Sequence, residues 1–521
     1  MTNSSSELKP TLGLVGITIN AMALIAPGAF LWTTYQLQAP PDSAKNMWAA
    51  IALATCIALL TASCYATLSK AYPDAGAGSS YYYAEAAILA KQSHKHFRLA
   101  RVAKFVTGWA AHLYYWAYPG IMISFMGTLV VYIGQLFNPN FASDWLSKVL
   151  ICLVFAGLVG SIALIGVTGS TLINIIINIV QIVSLVFLGL LMILYRLGHP
   201  NVNYEHANAL SVVIPHDLMG LVYQATIAIL LLVGFESATA MAGEAVNPQR
   251  DIPRGVVLSL FIQACLCYFF EYFAANFFIG DQYAVTVDGK TVTGFAAALS
   301  SGAPIGDIAK ILGDTLLFGN GFLLQITIAS TVVMALIGTA LSSLSTGVRI
   351  SYAMGNDREL PSVFGFLHGR YNTPYIGIFF LTGLSALIGA YAVQSVDNVT
   401  IVTLVSNIGT FMLYGITCGI ALIATLRHLL DDDHNPIKTI VIPSLGLVMN
   451  LLMVGGIFYY GLTGSGNAQA NSMTAIGISI AFFAAGFAYL IGDSLLKGKP
   501  LFLPANLSHP SRDRIGTSKP R

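Results

Sequence analysis

The chain has 521 residues, 56% of them apolar and 9% charged, with a formal net charge of +2. A soluble domain carries about 25% charge, so this composition excludes an ordinary water-soluble protein and describes an all-α polytopic membrane protein. It also supplies no basic face for nucleic acid, and no Lys/Arg run is interleaved with aromatics.

Apolar runs of about 20 residues, bounded by charge or turn residues, mark membrane helices. Twelve are predicted: Leu12–Tyr35, Trp48–Lys70, Phe105–Phe137, Trp145–Val167, Leu172–Tyr195, Leu218–Ala242, Gly255–Ile279, Gly321–Tyr352, Tyr375–Val393, Thr400–Leu426, Ile437–Tyr460 and Met473–Leu495. The third and eighth exceed what a bilayer requires, which predicts tilt. Residues 1–11 form a short tail with one cation, Lys9, and no small-residue cleavage site, so the first span is expected to stay attached. With both termini cytoplasmic, twenty of the 25 Lys+Arg lie on the cytoplasmic side. The outer side keeps Lys45, Lys148, Arg196, Lys290 and Lys310, a bias that sets this topology by the positive-inside rule.

Between the seventh and eighth spans, Val285–Val292 places Asp288-Gly289 between β-formers and reads as a hairpin, either an outer lid or plain surface. The basic stretch Lys91–Lys104 and the tail from Lys497 suit anionic headgroups of the lipid bilayer, or solvated topological anchoring. All six cysteines fall inside apolar runs without metal-ligand spacing and read as reduced structural residues.

The first span carries Ala26-Pro27-Gly28 in its middle, where Pro removes a hydrogen bond and Gly tolerates a non-helical backbone. A break there must be buried in protein or line a cavity; a Pro kink is the competing reading. The sixth span offers a second break at Gly234-Phe235-Glu236-Ser237, five helices later and at a corresponding depth. Two interrupted helices in corresponding halves point to an inverted repeat with a midplane site. Half-helix amino ends favour an anionic group, and freed carbonyls hold a cation or ammonium.

Glu236 is the most informative residue, because an intramembrane carboxylate is costly and serves as a proton carrier or counter-ion. The alternative is a neutral side chain held by local hydrogen bonds. Glu271 in the seventh span is a second carboxylate, either functional or snorkelling outward. Tyr114, Tyr115, Trp116 and Tyr118 crowd the third span, with Tyr118 the candidate for binding and core packing the alternative. Ser342 and Ser343, with Ser345 and Thr346, suit either a sodium ion or close helix packing.

These motifs resemble the amino acid–polyamine–organocation transporter superfamily. The resemblance rests on Ala26 to Phe30; on Tyr72-Pro73-Asp74-Ala75-Gly76-Ala77-Gly78-Ser79-Ser80-Tyr81; on Gly108-Trp109; on Gly234 to Ala238; on Gly243 to Arg254; and on Arg349, Tyr352, Ala353, Met354, Asp357 and Leu360-Pro361. It covers about the first 430 residues and implies a LeuT-like five-plus-five inverted repeat with two peripheral helices. Residues 12–430 are then the transport core, 431–496 the peripheral helices and 497–521 a basic cytoplasmic tail. Substrate would sit between the two breaks, against Ala26, Pro27, Gly28, Ala29, Phe30, Tyr118, Gly234, Phe235 and Ser237, with Glu236 and Glu271 for proton coupling and Ser342 and Ser343 for sodium.

In the family the first break usually reads Gly-small-Gly and holds an amino acid carboxylate. Here Ala26 and Pro27 replace the first two members and Pro27 has no N–H, which leaves room for amines lacking a carboxylate. The Gly234 to Ser237 run is similar to that of bacterial proton-linked exchangers, in which the matching Glu is implicated in proton coupling, and the expected location is a cell membrane, the inner membrane of a bacterium. Proton-driven relatives with a fifth-helix Lys carry it where Gln181 stands, so Glu236 becomes the coupling candidate. The expectation is a secondary transporter of amino acids, by proton symport or exchange, with a polyamine or other amine carrier of the same fold as the alternative. No metalloprotease, nucleophile-elbow or Walker-type motif is present, so no cofactor, enzyme chemistry or ATP drive is expected.

Overall fold

A backbone N–H in hydrocarbon finds no water, so a spanning segment must close its hydrogen bonds within itself. The computed structural model, which describes residues 12–25, 27–73, 75, 79–89, 97–166, 171–205, 214–270, 279–287, 289–357, 359–371, 373–426 and 435–497, is accordingly almost all helix. The first helices are α1 (Leu14–Ile25), α2 (Pro27–Gln38), α3 (Pro41–Ala44), α4 (Met47–Ala71), α5 (Ser80–Leu89), α6 (Phe97–Phe137), α7 (Trp145–Ile165) and α8 (Thr171–Gly198). They are followed by α9 (Leu218–Ala228), α10 (Pro248–Cys267), α11 (Gly294–Ser300), α12 (Pro304–Leu316), α13 (Gly321–Asn356), α14 (Tyr375–Ala392), α15 (Val396–Leu426), α16 (Ile442–Thr463) and α17 (Gly466–Lys497).

Among the described residues 11 helices are long and apolar enough to cross a membrane. The predicted first span is not among them: residue 26 inside it lies outside the described residues, which leaves the described helical stretches Leu14–Ile25 and Pro27–Gln38. The other predicted spans keep their places with shifted ends. Helix α6 starts at Phe97 rather than Phe105 and runs for 41 residues, about 60 Å.

That extension overturns the reading of Lys104 as a headgroup contact or solvated anchor. Lys104 is buried and pairs with Glu85 of α5 and with Asp357 at 2.7 Å. Two of the six cysteines, Cys56 and Cys265, are exposed rather than buried.

Burial separates central from peripheral spans. It reaches 78% of the best window of Leu218–Ala242 and 67% of Val396–Leu426, against 22% of Gly466–Leu496. The centre is built where α13, α14 and α15 pack along α6, and α10 packs on α1 and α4. On the predicted outer side, β1 (Ala284–Val287) and β2 (Lys290–Thr293) form the expected antiparallel hairpin. Val287 pairs with Lys290, leaving a two-residue turn whose Gly289 has φ +74°, a conformation glycine adopts without strain.

A small backbone clasp joins the chain before α1 to the chain after the sixth predicted span. Leu12 N donates to Glu244 O at 2.9 Å, and Val246 N donates to Leu12 O at 2.9 Å.

A close approach of α15 to α6 depends on Gly409 of α15. A Cβ there would lie 2.6 Å from Tyr114 N and 3.0 Å from Ala110 O of α6, both backbone atoms that cannot swing aside. Gly409→Ala is expected to force the two helices apart and destabilise the protein by about 1–3 kcal/mol. Thermal unfolding of purified protein in detergent checks this; an unchanged midpoint would show that α6 and α15 have room to give.

Candidate functional site

Interrupting a helix frees carbonyls and N–H groups, and the sixth predicted span shows where they go. The α-helix α9 ends at Ala228, a 3₁₀ turn covers Ile229–Leu231, and a second 3₁₀ segment runs over Phe235–Glu244. The reversal between them is made by Gly234 at φ +118°, a backbone closed to most residues bearing a Cβ. The Leu231 carbonyl accepts from Gln263 Nε2 of α10 at 3.0 Å, and the Thr226 carbonyl from Asn407 Nδ2 of α15 at 2.6 Å. The freed Gly234 N–H donates to Glu236 Oε2 at 3.0 Å.

Glu236 therefore acts as a cap for its own break while receiving two phenols. Tyr115 Oη of α6 donates to its Oε1 at 2.8 Å, and Tyr414 Oη of α15 donates to its Oε2 at 2.8 Å. The carboxyl is 1% exposed, and none of the ion pairs among the described residues includes it. Three converging donors satisfy a carboxylate, and two of them, being hydroxyls, can turn to accept when it is protonated. The arrangement thus tolerates both protonation states without moving a cation.

Phe235 is fully buried, with its ring 5.3 Å from that of Tyr414 and 6.0 Å from that of Tyr65. Ser237 is half-buried, and its hydroxyl has no partner among the described residues. Glu236, Ser237, Tyr115, Ser79, Tyr81 and Arg349 all line one small cavity.

At the predicted first break, helix is described up to Ile25 and again from Pro27. Ala26 lies outside the described residues, and the structure describes the backbone of Pro27, Gly28, Ala29 and Phe30. Glu271 also lies outside the described residues. Tyr118 is fully buried with its ring 5.2 Å from that of Tyr114, and Tyr115 is the member of that cluster that reaches Glu236. Ser343 is buried and donates to the Ala340 carbonyl of its own helix at 3.1 Å; Ser342 is half-buried. Gln181 is buried in α8, and one turn earlier Asn178 Nδ2 donates to the Ile19 carbonyl of α1 at 3.2 Å.

The sequence reading did not single out Tyr414, Gln263 or Asn407. Each is a hydrogen-bonding side chain inside an apolar run, which is the signal that marks them.

A second polar cluster lies where α5, the start of α6 and the chain after α13 meet. Besides the Lys104 pairs, Arg101 Nη2 lies 3.4 Å from Glu359 Oε1, and Tyr81 Oη donates to Asp357 Oδ2 at 3.0 Å and to Glu359 Oε2 at 3.1 Å. Lys104 Nζ also sits 4.7 Å from the centre of the Tyr81 ring. Burial, partly opposed by Arg101 and Lys104, pushes the Glu359 carboxyl up to about 7.

The amino acid permease family matches residues 11–483, nearly the whole chain. The chain belongs to that family. It is thereby a member of the amino acid–polyamine–organocation superfamily, whose members are permeases rather than enzymes, and a multi-pass membrane protein. The permease is 29% identical over 228 residues to a glutamate/serine transporter of Bacillus subtilis, covering 42% of this chain and 38% of that one. It is 29% identical over 263 residues to a branched-chain amino acid permease of Lactococcus lactis, covering 49% of each. These matches therefore span half or less of the relatives' length. A low-affinity putrescine importer of Escherichia coli is 24% identical over 421 residues, 79% of this chain and 80% of that one.

Removing either phenol leaves one carboxylate oxygen of Glu236 with a lost charge-assisted bond. Tyr115→Phe and Tyr414→Phe are each expected to destabilise the permease by about 1.5–3 kcal/mol. The double variant should depart from the sum of the singles, because both act on one group. Unfolding midpoints of the four proteins check this; strict additivity would show that the tyrosines do not share a partner.

Proposed function

We propose that this permease is a secondary active transporter that moves amino acids across a membrane by alternating access, coupled to protons or by exchange. The observation that carries the reading is Glu236, a buried carboxyl held at a helix break by Tyr115, Tyr414 and the Gly234 N–H, and facing a cavity. A group that is satisfied in either protonation state suits a proton cycle without large rearrangement. Sodium coupling through Ser342 and Ser343 is the second reading; the Ser343 hydroxyl donates to the Ala340 carbonyl and keeps its lone pairs for a cation.

In this reading α1 and α2 together form one broken span, giving twelve in all. Residues 12–430 form a LeuT-like five-plus-five inverted repeat, residues 431–496 two peripheral helices, and both termini lie in the cytoplasm of a bacterial cell. Substrate binds between the breaks, against Ala26 to Phe30, Gly234, Phe235 and Ser237, with Tyr118 behind Tyr114 as part of the wall. Glu271 is the secondary carboxyl for coupling.

Amino acids come first because a break at Ala26 makes Gly28, Ala29 and Phe30 the amino end of a half-helix, whose N–H groups present a positive end to a carboxylate. A polyamine or other amine is the second reading, favoured by Pro27, which removes one donor, and by the extent of the match to the putrescine importer.

Uptake into proteoliposomes of labelled L-leucine, L-serine, L-glutamate and putrescine, with and without imposed H⁺ and Na⁺ gradients, tests these readings together. Glu236→Gln is expected to abolish proton-driven accumulation while leaving some exchange. Glu271→Gln should have a smaller effect. Retained accumulation with wild-type pH dependence in Glu236→Gln removes it from the coupling role, and an amine that competes as well as its parent amino acid replaces the amino acid reading.

A further inference from the structure

Three carboxylates, two cations and a phenol meet beside α5, and the transport reading so far uses none of them. Tyr81 is the residue that joins them to Glu236. Its hydroxyl donates to Asp357 at 3.0 Å and to Glu359 at 3.1 Å, and it also lines the cavity that Glu236 lines. Within that cavity the centre of a water molecule has about 20 Å³ in which to sit. One water needs about 10–15 Å³ and two or more polar partners. Among the lining residues Ser237 has a hydroxyl with no partner among the described residues, which adds a polar contact to those at the two ends of the path.

The backbone at this wall is strained. Ser79 sits at φ +52°, uncommon for a residue with a Cβ, and its Oγ accepts from Thr239 Oγ1 at 3.1 Å. Strain of this kind persists where surrounding contacts hold it, and it gathers at working sites.

We propose that Tyr81 and Glu359 form the exit half of a proton path that begins at Glu236. The inference rests on the reading of Glu236 as the coupling carboxyl. The O–H bond of the protonated Glu236 breaks and its proton passes to the cavity water. That water gives one proton to Tyr81 Oη as the hydroxyl proton of Tyr81 moves to Glu359 Oε2. Glu236 is left as the carboxylate, the phenol is restored, and one proton has crossed. It leaves by way of Asp357, which shares the Tyr81 hydroxyl and whose side chain is 25% exposed, against 2% for Glu359. The positive-residue count assigns this face to the cytoplasm.

The groups facing Glu359 are Arg101 and Lys104 from α6, Tyr81 from α5 and Asp357 from its own segment, while Glu85 is joined to the cluster through Lys104. Burial raises Glu359 to about 7, so above that pH it is a ready acceptor and below it the station is already filled. Tyr81 is held well above its ordinary value by burial and by Glu359 and Asp357, so it hands protons on without standing as a phenolate.

The test uses the full-length protein in proteoliposomes, following proton-driven uptake and exchange of L-leucine, L-serine, L-glutamate and putrescine while internal pH is varied. Wild-type driven uptake should fall as internal pH drops through about 7. Tyr81→Phe and Glu359→Gln should both lose that inflection and about tenfold of the driven rate, with exchange reduced by a smaller factor. A merely structural role would lower both modes together and keep the inflection, which overturns the proposal. Should Glu359→Gln fail to fold, Tyr81→Phe, which keeps the ring and loses only the hydroxyl, decides alone. If Glu236→Gln abolishes driven uptake while Tyr81→Phe keeps the wild-type rate and profile, the exit path is wrong and the Glu236 reading stands. Driven uptake retained in Glu236→Gln, or absent for all four compounds in the wild type, overturns the coupling reading and this inference with it.

Discussion

A backbone interrupted inside hydrocarbon leaves polar groups that water cannot reach, and the middle of this protein is organised around that demand. At the sixth predicted span, Gln263 and Asn407 reach in from two neighbouring helices to take the carbonyls of Leu231 and Thr226. Glu236 takes the Gly234 N–H. Placing a carboxyl there creates a second demand, met by Tyr115 and Tyr414. The packing of α6 and α15 against the break is therefore a consequence of hydrogen-bond accounting as much as of apolar burial. Gly409 is the small residue that lets those helices come close enough to serve it.

Much of this was legible because hydropathy and backbone chemistry are local. The spans follow from apolar run length, the break in the sixth from Gly234 next to a carboxyl, and the hairpin turn from Asp288-Gly289 between β-formers. The ends of α6 and α10 were not legible, since a helix that continues beyond the apolar layer does so in charged residues, such as those from Phe97 to Lys104, that hydropathy reads as loop. The aromatic cluster on α6 posed a different difficulty. Residues 114, 115, 116 and 118 are spread round the helix by about 100° per residue, so they face several directions at once. Periodicity alone could not choose Tyr115 over Tyr118, because the choice depends on where α9 and α15 stand.

The cluster of Lys104, Arg101, Glu85, Asp357 and Glu359 was hidden for a related reason. Its members come from three separate stretches of sequence, and a lone cation near a membrane boundary has the same local signature whether it meets a headgroup or a buried carboxylate. Only the folded chain distinguishes them, by withdrawing Lys104 to 2% exposure beside two acids. Leaving one member of such a group unpaired is costly, so these charges act as a unit that holds α5 against α6.

The clasp between Leu12 and the chain at Glu244 and Val246 bears on how the molecule moves. It ties the chain before α1 to the end of the 3₁₀ segment Phe235–Glu244, two segments that the proposed alternating-access cycle would displace. Two backbone hydrogen bonds contribute together about 1–3 kcal/mol net, equivalent to a preference of about 5- to 150-fold. At that strength the clasp weights a conformational equilibrium without locking it. In the proposed cycle thermal fluctuation would open it during turnover, while with the clasp made the chain at Leu12 and at Glu244 to Val246 would move together.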